Sequence, residues 1–387
     1  MPDTTAHGDE TVAAQRLVYA GKKVLSTCLL KAGPHTIPTH KTMIRSLRSC
    51  FGLLAIATLS TSVASGQESQ LPVSRTVGVI DVSLPVNQTT LMAIPLAEIV
   101  ASGTVTAVAG TTYTLSSSPT TLPNVLTTPH AIKITSRVDQ RGTGANAPSG
   151  SSTNAYGLSA QITAQSGQDV TAALGTAPNI GDEFIVYQLE TIGSIFGVEN
   201  TAGLRSGSLV SSSDVIYVDN GAGALVGYFY RSSSSNWVLL SNPASADQSG
   251  VVIPVGRGIM VARKSGGNPV SLRFTGDTMI GKETIDVVNS SFNCVNNFFT
   301  VSTTLAASGL RNFIQGGSLS SSADIVYLES AGVLTGYFYR TSVSQWRLVS
   351  NPNSADQGAA VIEAGKAILF SKKATATEFT LQEPFAE

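Results

Sequence analysis

The sequence predicts an all-β protein: an N-terminal β domain followed by two tandem copies of a small antiparallel sandwich or barrel-like module. The first observation is composition, since only 13% of the 387 residues are charged and 36 are glycine. Low charge with abundant Val, Thr, Ser and Gly favours short strands joined by tight turns. The second observation is the alternation of apolar and polar residues in short runs. The third is an internal repeat at an offset of about 110 residues.

The repeat lies in the C-terminal half and keeps its turns as well as its strands. In the first copy it consists of residues 214–217 (DVIY), 227–231 (GYFYR), Trp237, 241–243 (SNP) and 245–248 (SADQ). In the second copy it consists of residues 324–327 (DIVY), 336–340 (GYFYR), Trp346, 350–352 (SNP) and 354–357 (SADQ). One residue is deleted at a Gly-rich turn, which leaves the alternation of the strands intact.

Each copy divides into five or six predicted strands. In the first copy they cover residues 214–218, 225–231, 237–241, 251–255, 258–263 and 270–274. Asn220-Gly221 predicts a tight turn. Asn242-Pro243 cannot continue a strand, so residues 242–250 are predicted to be a loop. The short connections predict antiparallel modules over residues 191–280 and 281–387.

The preceding segment, residues 67–190, is predicted to be a separate N-terminal β domain. Alternating runs are separated by Gly, Pro and Ser turns, and they cover residues 91–95, 104–108, 112–115, 130–136 and 184–187. Residues 141–154 (RGTGANAPSGSSTN) predict a flexible surface loop.

A secretory signal peptide is predicted at residues 43–66. Arg45 and Arg48 precede the apolar run 51–59 (FGLLAIATL), and small residues follow it. The run is shorter than the roughly 20 residues that span a bilayer, and a buried core helix is the alternative. Residues 1–42 are interpreted as an upstream extension before a true start at Met43, or as part of a longer leader. We therefore expect an exported protein, extracellular, at the cell surface or periplasmic, with no transmembrane anchor in the mature chain.

Loss of residues 1–66 restricts the chemistry of the mature chain. His130 and Cys294 become its only His and Cys, which excludes an intramolecular disulfide and a Cys/His metal site. Cys294 either pairs between chains or, as we expect, is buried. The mature chain is mildly acidic and has no basic stripe, which argues against nucleic acid. No Gly-rich phosphate loop precedes a helix, and no cofactor is predicted.

Three groups of residues carry a resemblance to a known family. They are residues 94–96 (IPL), residues 181–184 (GDEF) leading into 192–197 (IGSIFG), and the two GYFYR…W…NP…ADQ copies. With them the chain resembles an uncharacterised family of exported, β-rich repeat proteins of Verrucomicrobia and related bacteria. The resemblance covers nearly the whole mature chain. It implies export and β structure, and it implies no activity.

Four aspartates recur between the copies: Asp214, Asp247, Asp324 and Asp356. Paired carboxylates are what glycoside hydrolysis requires. Oxygens converging in the Ser-Ala-Asp-Gln loops would suit calcium, which makes Asp247 and Asp356 weak calcium candidates. We favour a structural role in which these loop carboxylates accept backbone N–H bonds.

Three further polar residues, two arginines and a histidine, lie at or near strand ends. Arg231 and Arg340 end their strands and are expected to pair with Asp214 and Asp324, respectively. His130 is the one histidine available to a Ser-His-Asp triad, but no Gly-x-Ser-x-Gly elbow accompanies it. A satisfied or exposed histidine is therefore expected, and no catalytic residue is predicted.

Six aromatic residues recur and are the candidate ligand-binding residues: Tyr228, Tyr230, Trp237, Tyr337, Tyr339 and Trp346. Exposed aromatic rings stack on sugars or anchor protein partners. The alternative is that they form the core of each module, because a single Trp in a small β domain is usually buried.

The function predicted from these observations is that of an exported, non-enzymatic surface, envelope or extracellular protein, structural or adhesive. Its expected partners are polysaccharide or other envelope proteins, with self-association through sheet edges. The first alternative is a carbohydrate-binding protein that uses the recurrent aromatic faces. The second alternative is a secreted hydrolase.

Overall fold

The computed structural model describes residues 77–119, 121–135, 155–279, 281–289, 291–373 and 377–381, all within one compact unit that begins at Ser74. The all-β prediction is confirmed, since these residues form 23 strands, one short α-helix and three 3₁₀ helices. The predicted extension 1–42, the signal peptide 43–66 and the loop 141–154 lie outside the described residues. No helix in the described part of the chain is long and apolar enough to cross a bilayer.

The strands are numbered in chain order. The first nine are β1 (Val77–Leu84), β2 (Thr89–Met92), β3 (Leu96–Ala97), β4 (Ile99–Ala109), β5 (Thr112–Ser118), β6 (His130–Ile134), β7 (Ser159–Ser166), β8 (Asp169–Ala172) and β9 (Glu183–Gln188). Helix α1 (Ile192–Phe196) and strands β10 (Val215–Asp219), β11 (Leu225–Arg231), β12 (Asn236–Leu239), β13 (Ile259–Ala262) and β14 (Val270–Thr278) follow. The last nine are β15 (Glu283–Val287), β16 (Phe292–Val295), β17 (Thr303–Thr304), β18 (Ile325–Ser330), β19 (Val333–Arg340), β20 (Gln345–Leu348), β21 (Val361–Ile362), β22 (Ile368–Ser371) and β23 (Thr377–Leu381). The 3₁₀ helices are Val210–Ser212, Leu310–Asn312 and Ser320–Ser322.

Strands β4 to β9 form a closed antiparallel barrel in the order β4-β5-β8-β7-β6-β9. Alternate residues of a barrel strand point inward, and the interior is filled by an apolar cluster that includes Tyr113, Ile132, Val170 and Phe184. Because the sheet closes on itself, its six strands have no open edge. All six strands come from residues 99–188 of the sequence.

The first repeat includes three strands, β1 to β3, that precede the barrel in the sequence. Its five-stranded sheet has the order β12-β11-β10-β13-β2, and a three-stranded sheet has the order β1-β14-β3. Their shared core includes Leu84, Met92, Ile216, Trp237 and Phe274. The pairing therefore does not follow the predicted boundary at residue 190. Residues 77–97 belong to the first repeat, and the barrel is inserted into that repeat.

In the second repeat the corresponding large sheet forms without an inserted barrel. Its five-stranded sheet has the order β16-β22-β18-β19-β20, so β16 takes the place of β2. Strand β15 pairs with β23 as β1 pairs with β14. Each repeat thus includes two N-terminal strands that the sequence comparison did not reveal, because few residues in them recur.

The two repeats are joined by reciprocal backbone hydrogen bonds. The four bonds run from Ala93 N to Gly365 O (2.9 Å), Asn296 N to Gly256 O (2.9 Å), Ala367 N to Leu91 O (3.3 Å) and Gly258 N to Cys294 O (2.8 Å). The first two bonds are equivalent to each other, and so are the last two: the donor lies in one repeat in the first bond of each pair and in the other repeat in the second. This is the pattern of an approximate two-fold relation. The outer edges of β2 and β16 are therefore covered by the neighbouring repeat.

One predicted strand has a different structure. Residues 251–255 were predicted to be a strand, but only Val252 forms a bridge there, to Thr191. Pro254 has no N–H to donate to a ladder, which limits pairing at this position. The equivalent Val361–Ile362 does form a short strand, paired with Thr303–Thr304.

Candidate functional site

The loop that follows β12, residues 242–249 (NPASADQS), closes the outer edge of its sheet; we call it the first edge loop. Trp237 N donates to Asp247 Oδ1 (3.2 Å), and Leu239 N donates to Ser245 Oγ (3.0 Å). The carbonyl of Trp237 accepts from Gln248 N (2.9 Å), and that of Leu239 accepts from Asn242 N (3.2 Å). The loop therefore supplies a partner to all four backbone groups with which an added strand would pair.

The second edge loop, residues 351–358 (NPNSADQG), repeats this arrangement on β20. Trp346 N donates to Asp356 Oδ1 (3.0 Å), and Leu348 N donates to Ser354 Oγ (3.3 Å). The two carbonyls accept from Gln357 N (2.9 Å) and Asn351 N (3.2 Å), respectively. The recurrence of Asn-Pro-x-Ser-Ala-Asp-Gln is thus explained by backbone groups that need partners.

The calcium candidates Asp247 and Asp356 are exposed, and Oδ1 of each accepts hydrogen bonds from backbone N–H groups. Besides the tryptophan N–H, Asp247 Oδ1 accepts from Ser249 N (3.2 Å), and Asp356 Oδ1 accepts from Gly358 N (3.1 Å). Across the residues that the structure describes, no group of three or more His, Cys, Asp or Glu side chains is placed to hold a metal ion. The geometry agrees with the structural role favoured from the sequence.

The candidate ligand-binding aromatics lie largely in the cores. Exposed fractions are 1% for Trp237, 3% for Trp346, 6% for Tyr228 and 9% for Tyr230. Trp237 Nε1 donates to Gly197 O (2.9 Å), and Tyr230 packs edge-on against the indole. These positions agree with the core alternative, because neither indole has a face open to a sugar.

The equivalent tyrosines of the second repeat are less enclosed. Tyr337 and Tyr339 are half-buried. The Arg311 guanidinium lies 4.0 Å from the centre of the Tyr339 ring, where a cation–π contact is favourable. Of the six candidates, these two keep ring surface near solvent.

Asp214 and Asp324 are buried and form ion pairs with partners other than those expected. Arg263 Nε donates to Asp214 Oδ2 (2.8 Å), and Lys372 Nζ donates to Asp324 Oδ2 (2.7 Å). Each carboxylate also accepts two backbone N–H groups, and these bonds are 2.7–2.8 Å long. A buried carboxylate that accepts several hydrogen bonds is fixed in place.

The expected pairing of Arg231 with Asp214 and of Arg340 with Asp324 is therefore wrong. Arg231 Nη1 donates to the carbonyl of Pro243 (2.9 Å), and Arg340 Nη1 donates to that of Pro352 (3.0 Å). Both arginines thus tie β11 and β19 to the edge loops. The prediction paired each arginine with the recurrent aspartate nearest to it in the sequence. In the structure both arginine side chains reach the edge loop of their own repeat.

His130 is a buried histidine with local partners. Its Nδ1 lies 2.8 Å from the carbonyl of Thr128 and 3.0 Å from that of Val125. Carbonyl oxygens only accept, so Nδ1 carries the hydrogen. The arrangement agrees with the satisfied histidine expected from the sequence.

A buried polar cluster that the sequence did not reveal lies between the barrel and the second repeat. Lys133 Nζ is 2.6 Å from Glu283 Oε2, and both side chains are excluded from solvent. Ser159 Oγ donates to Glu283 Oε1 (2.7 Å). Burial, and then the Glu283 carboxylate, raise the pKa of Tyr187 above its usual value. A lysine within the buried strand HAIKI was the available signal, but nothing local identifies its partner.

A second buried cluster lies where the two repeats meet. Asp219 accepts from Cys294 N (2.8 Å) and from Arg257 Nη1 (3.3 Å). Burial is the main cause that raises the pKa of the Cys294 thiol. The second repeat has Glu329 and Lys366 at the equivalent positions, 2.5 Å apart. Both clusters are enclosed, so they support the assembly of the fold and do not face a substrate.

Comparison with known proteins gives no relative: no family model, no curated protein and no solved structure matches this chain. The resemblance to the exported Verrucomicrobia-type family therefore stays a prediction.

Proposed function

We propose that this chain is an exported, non-enzymatic protein of the cell surface, envelope or extracellular space, with a structural or adhesive role. The observation that carries the proposal is that all four recurrent aspartates accept backbone N–H groups, in the same way in both repeats. A catalytic acid or base must reach the substrate. These carboxylates are instead committed to the fold, which supports a structural meaning for the duplication.

A polysaccharide or another envelope protein is the partner we propose. Support comes from a row of hydroxyl-bearing side chains across β5 and β8 of the barrel. Thr112 Oγ1 and Thr171 Oγ1 are 3.2 Å apart, and Thr114 Oγ1 donates to Asp169 Oδ1 (2.6 Å). Hydroxyls both donate and accept hydrogen bonds, which suits a hydroxyl-rich polymer.

Export is tested by the N-terminal sequence of the protein recovered from fractionated native cells. A mature chain that starts near residues 66–68, found in an extracellular or envelope fraction, supports the proposal. A cytoplasmic chain that begins at Met1 contradicts it.

The absence of turnover is tested with the full chain and a panel of glycoside, ester and peptide substrates. We expect no turnover by the wild type or by Asp247→Asn. Turnover by the wild type that is lost in Asp247→Asn, with unchanged circular dichroism, would contradict the proposal and favour the secreted hydrolase.

The carbohydrate-binding alternative is best tested at the tyrosines that keep ring surface near solvent, because replacing either tryptophan removes core volume. Glycan binding that is lost in Tyr337→Ala or Tyr339→Ala, while the fold is kept, would favour that alternative. Retained binding in both variants would exclude a role for these rings.

A further inference from the structure

We propose that the first edge loop (residues 242–249) is a strap that keeps β12 from pairing with β12 of a second copy of this chain, and that its release produces a dimer. The proposal rests on strand geometry and does not depend on the proposed function. An open sheet edge is a template for another strand, and folded proteins cover or charge such edges.

The first step is that both edges of each five-stranded sheet are covered. The edges at β2 and β16 are covered by the neighbouring repeat through the reciprocal bonds described above. The edges at β12 and β20 are covered by the edge loops. The loops therefore complete a consistent pattern, in which the last unpaired side of each large sheet is closed.

The second step concerns the strength of the straps. Asp247 is exposed, so its bond to Trp237 N competes with water. Ser245 holds Leu239 N through a single hydroxyl. The backbone bonds from Gln248 N and Asn242 N and the bond from Arg231 to Pro243 O also hold the loop. Surface loops are nevertheless among the first parts of a protein to open.

The third step is that the edge of β12 can pair with itself. The strap binds the N–H and C=O groups of Trp237 and Leu239, which flank Val238. Two β12 strands related by a two-fold axis through Val238 would place Trp237 of each opposite Leu239 of the other. In an antiparallel pair every second pair of opposed residues exchanges both hydrogen bonds. Trp237 and Leu239 would form such pairs, because their backbone groups point away from β11. The four groups that the strap now binds are the same four that this pairing would use.

The fourth step separates the two edges of the molecule. In the same pairing of β12 the two Val238 side chains face each other, and β-branched pairs are favourable. On β20 the equivalent residue is Arg347, so self-pairing would place two guanidinium groups opposite each other. Like charges directly opposite are destabilising. We therefore assign self-association to β12, and β20 is protected twice, by its strap and by Arg347.

The experiment uses the full chain, kept reduced, with matched variants in the two loops. Ser245→Ala/Asp247→Ala removes both side-chain bonds of the first strap to β12, and Ser354→Ala/Asp356→Ala removes both side-chain bonds of the second strap to β20. Light scattering after size exclusion gives the mass as a function of concentration, and circular dichroism reports the fold. We expect the first variant to dimerise with a dissociation constant at least tenfold lower than that of the wild type, and the second to stay monomeric.

A further substitution tests the pairing itself. Adding Arg347→Val to Ser354→Ala/Asp356→Ala should produce a dimer, because it removes the two guanidinium groups that would lie opposite each other. The proposal is overturned by a folded, monomeric first variant, by equal association of both variants, or by a second variant that stays monomeric with Arg347→Val added.

If Ser245→Ala/Asp247→Ala does not fold, Ser245→Ala alone gives the answer, because it frees only Leu239 N. A shift toward dimer in this variant, absent from Ser354→Ala, supports the proposal. No difference in mass between these two single variants overturns it.

Discussion

Lys133 of the barrel and Glu283 of the second repeat form an ion pair 2.6 Å long, and neither side chain reaches solvent. The pair links an inserted barrel to a repeat that begins about 150 residues later. The Lys133 ammonium also lies 5.7 Å from the centre of the Phe298 ring. Two charges withdrawn from water require each other, so this contact fixes the position of the barrel on the second repeat.

We predict that Lys133→Met lowers the free energy of unfolding by about 3–5 kcal/mol, because it leaves the Glu283 carboxylate buried without its cation. Urea denaturation followed by circular dichroism measures the change. Lys133→Met/Glu283→Leu should recover most of the loss, since a buried pair is often replaced by apolar residues at little cost.

The control is the exposed pair Arg273–Asp81, whose side chains lie 2.8 Å apart at the surface of β14 and β1. Arg273→Met should leave the free energy of unfolding nearly unchanged, as is usual for exposed pairs. Equal effects of Lys133→Met and Arg273→Met would show that the buried pair does not hold the barrel.

The raised pKa of Tyr187 predicts that the protein loses stability at alkaline pH. Burial and the neighbouring Glu283 raise its pKa in the folded state, whereas in the unfolded chain the pKa is about 10. Below pH 10 both states keep the proton and the contribution is constant. Above pH 10 only the unfolded chain loses it, so stability falls by about 1.4 kcal/mol per pH unit.

Unfolding curves at pH 9, 10 and 11 test this, with Tyr187→Phe as the comparison. The variant should show a shallower decline above pH 10, whatever its stability at pH 9. Parallel declines in the two proteins would mean that Tyr187 ionises in the folded state as it does in the unfolded chain.

Cys294 is predicted to resist alkylation while the protein is folded. Burial, and then the Asp219 carboxylate, raise the pKa of its thiol, and the Arg257 guanidinium offsets only part of this. The thiolate is the nucleophile, so both access and ionisation are suppressed. In a chain carrying Cys28→Ser and Cys50→Ser, iodoacetamide at pH 8 should label Cys294 only after urea is added. Complete labelling without urea would place the thiol at the surface.

The elements that the sequence predicted well are those with local causes. Residues 225–231 were predicted as a strand and form one with the same limits, because alternating aromatics lie between two turn signals. The role proposed for Asp247 and Asp356 was also close. A loop carboxylate was expected to bind backbone N–H groups, but its main partner proves to be the neighbouring strand.

The elements that the sequence did not predict depend on distant partners. Strand β1 pairs with β14 along its whole length, and Val77 lies opposite Asp277. No short-range pattern in the sequence encodes a pairing between strands nearly 200 residues apart. The barrel strands lie between β1 and β14 in the sequence, so β1 does not adjoin the repeat to which it belongs. The same reason explains the missed Lys133–Glu283 pair, since two charged residues in separate strands carry no signal that they will meet.

Glycine at position 258 is predicted to be essential to the junction between the repeats. A Cβ there would lie 2.5 Å from Ala367 Cβ and 3.1 Å from Cys294 Sγ, closer than packed atoms approach. The Gly258 N–H also donates one of the reciprocal bonds to Cys294 O (2.8 Å). Gly258→Ala should therefore lower the free energy of unfolding by about 1–3 kcal/mol, the usual cost of overpacking a close-packed interior.

Gly250 provides the matched control, since a Cβ there meets no atom within 4 Å. Gly250→Ala should leave stability unchanged or raise it by up to about 1 kcal/mol, because alanine restricts the unfolded chain. Urea denaturation compares the two variants with the wild type. If Gly258→Ala matches Gly250→Ala, the two repeats have room to separate by several tenths of an ångström, and the reciprocal bonds do not fix their distance.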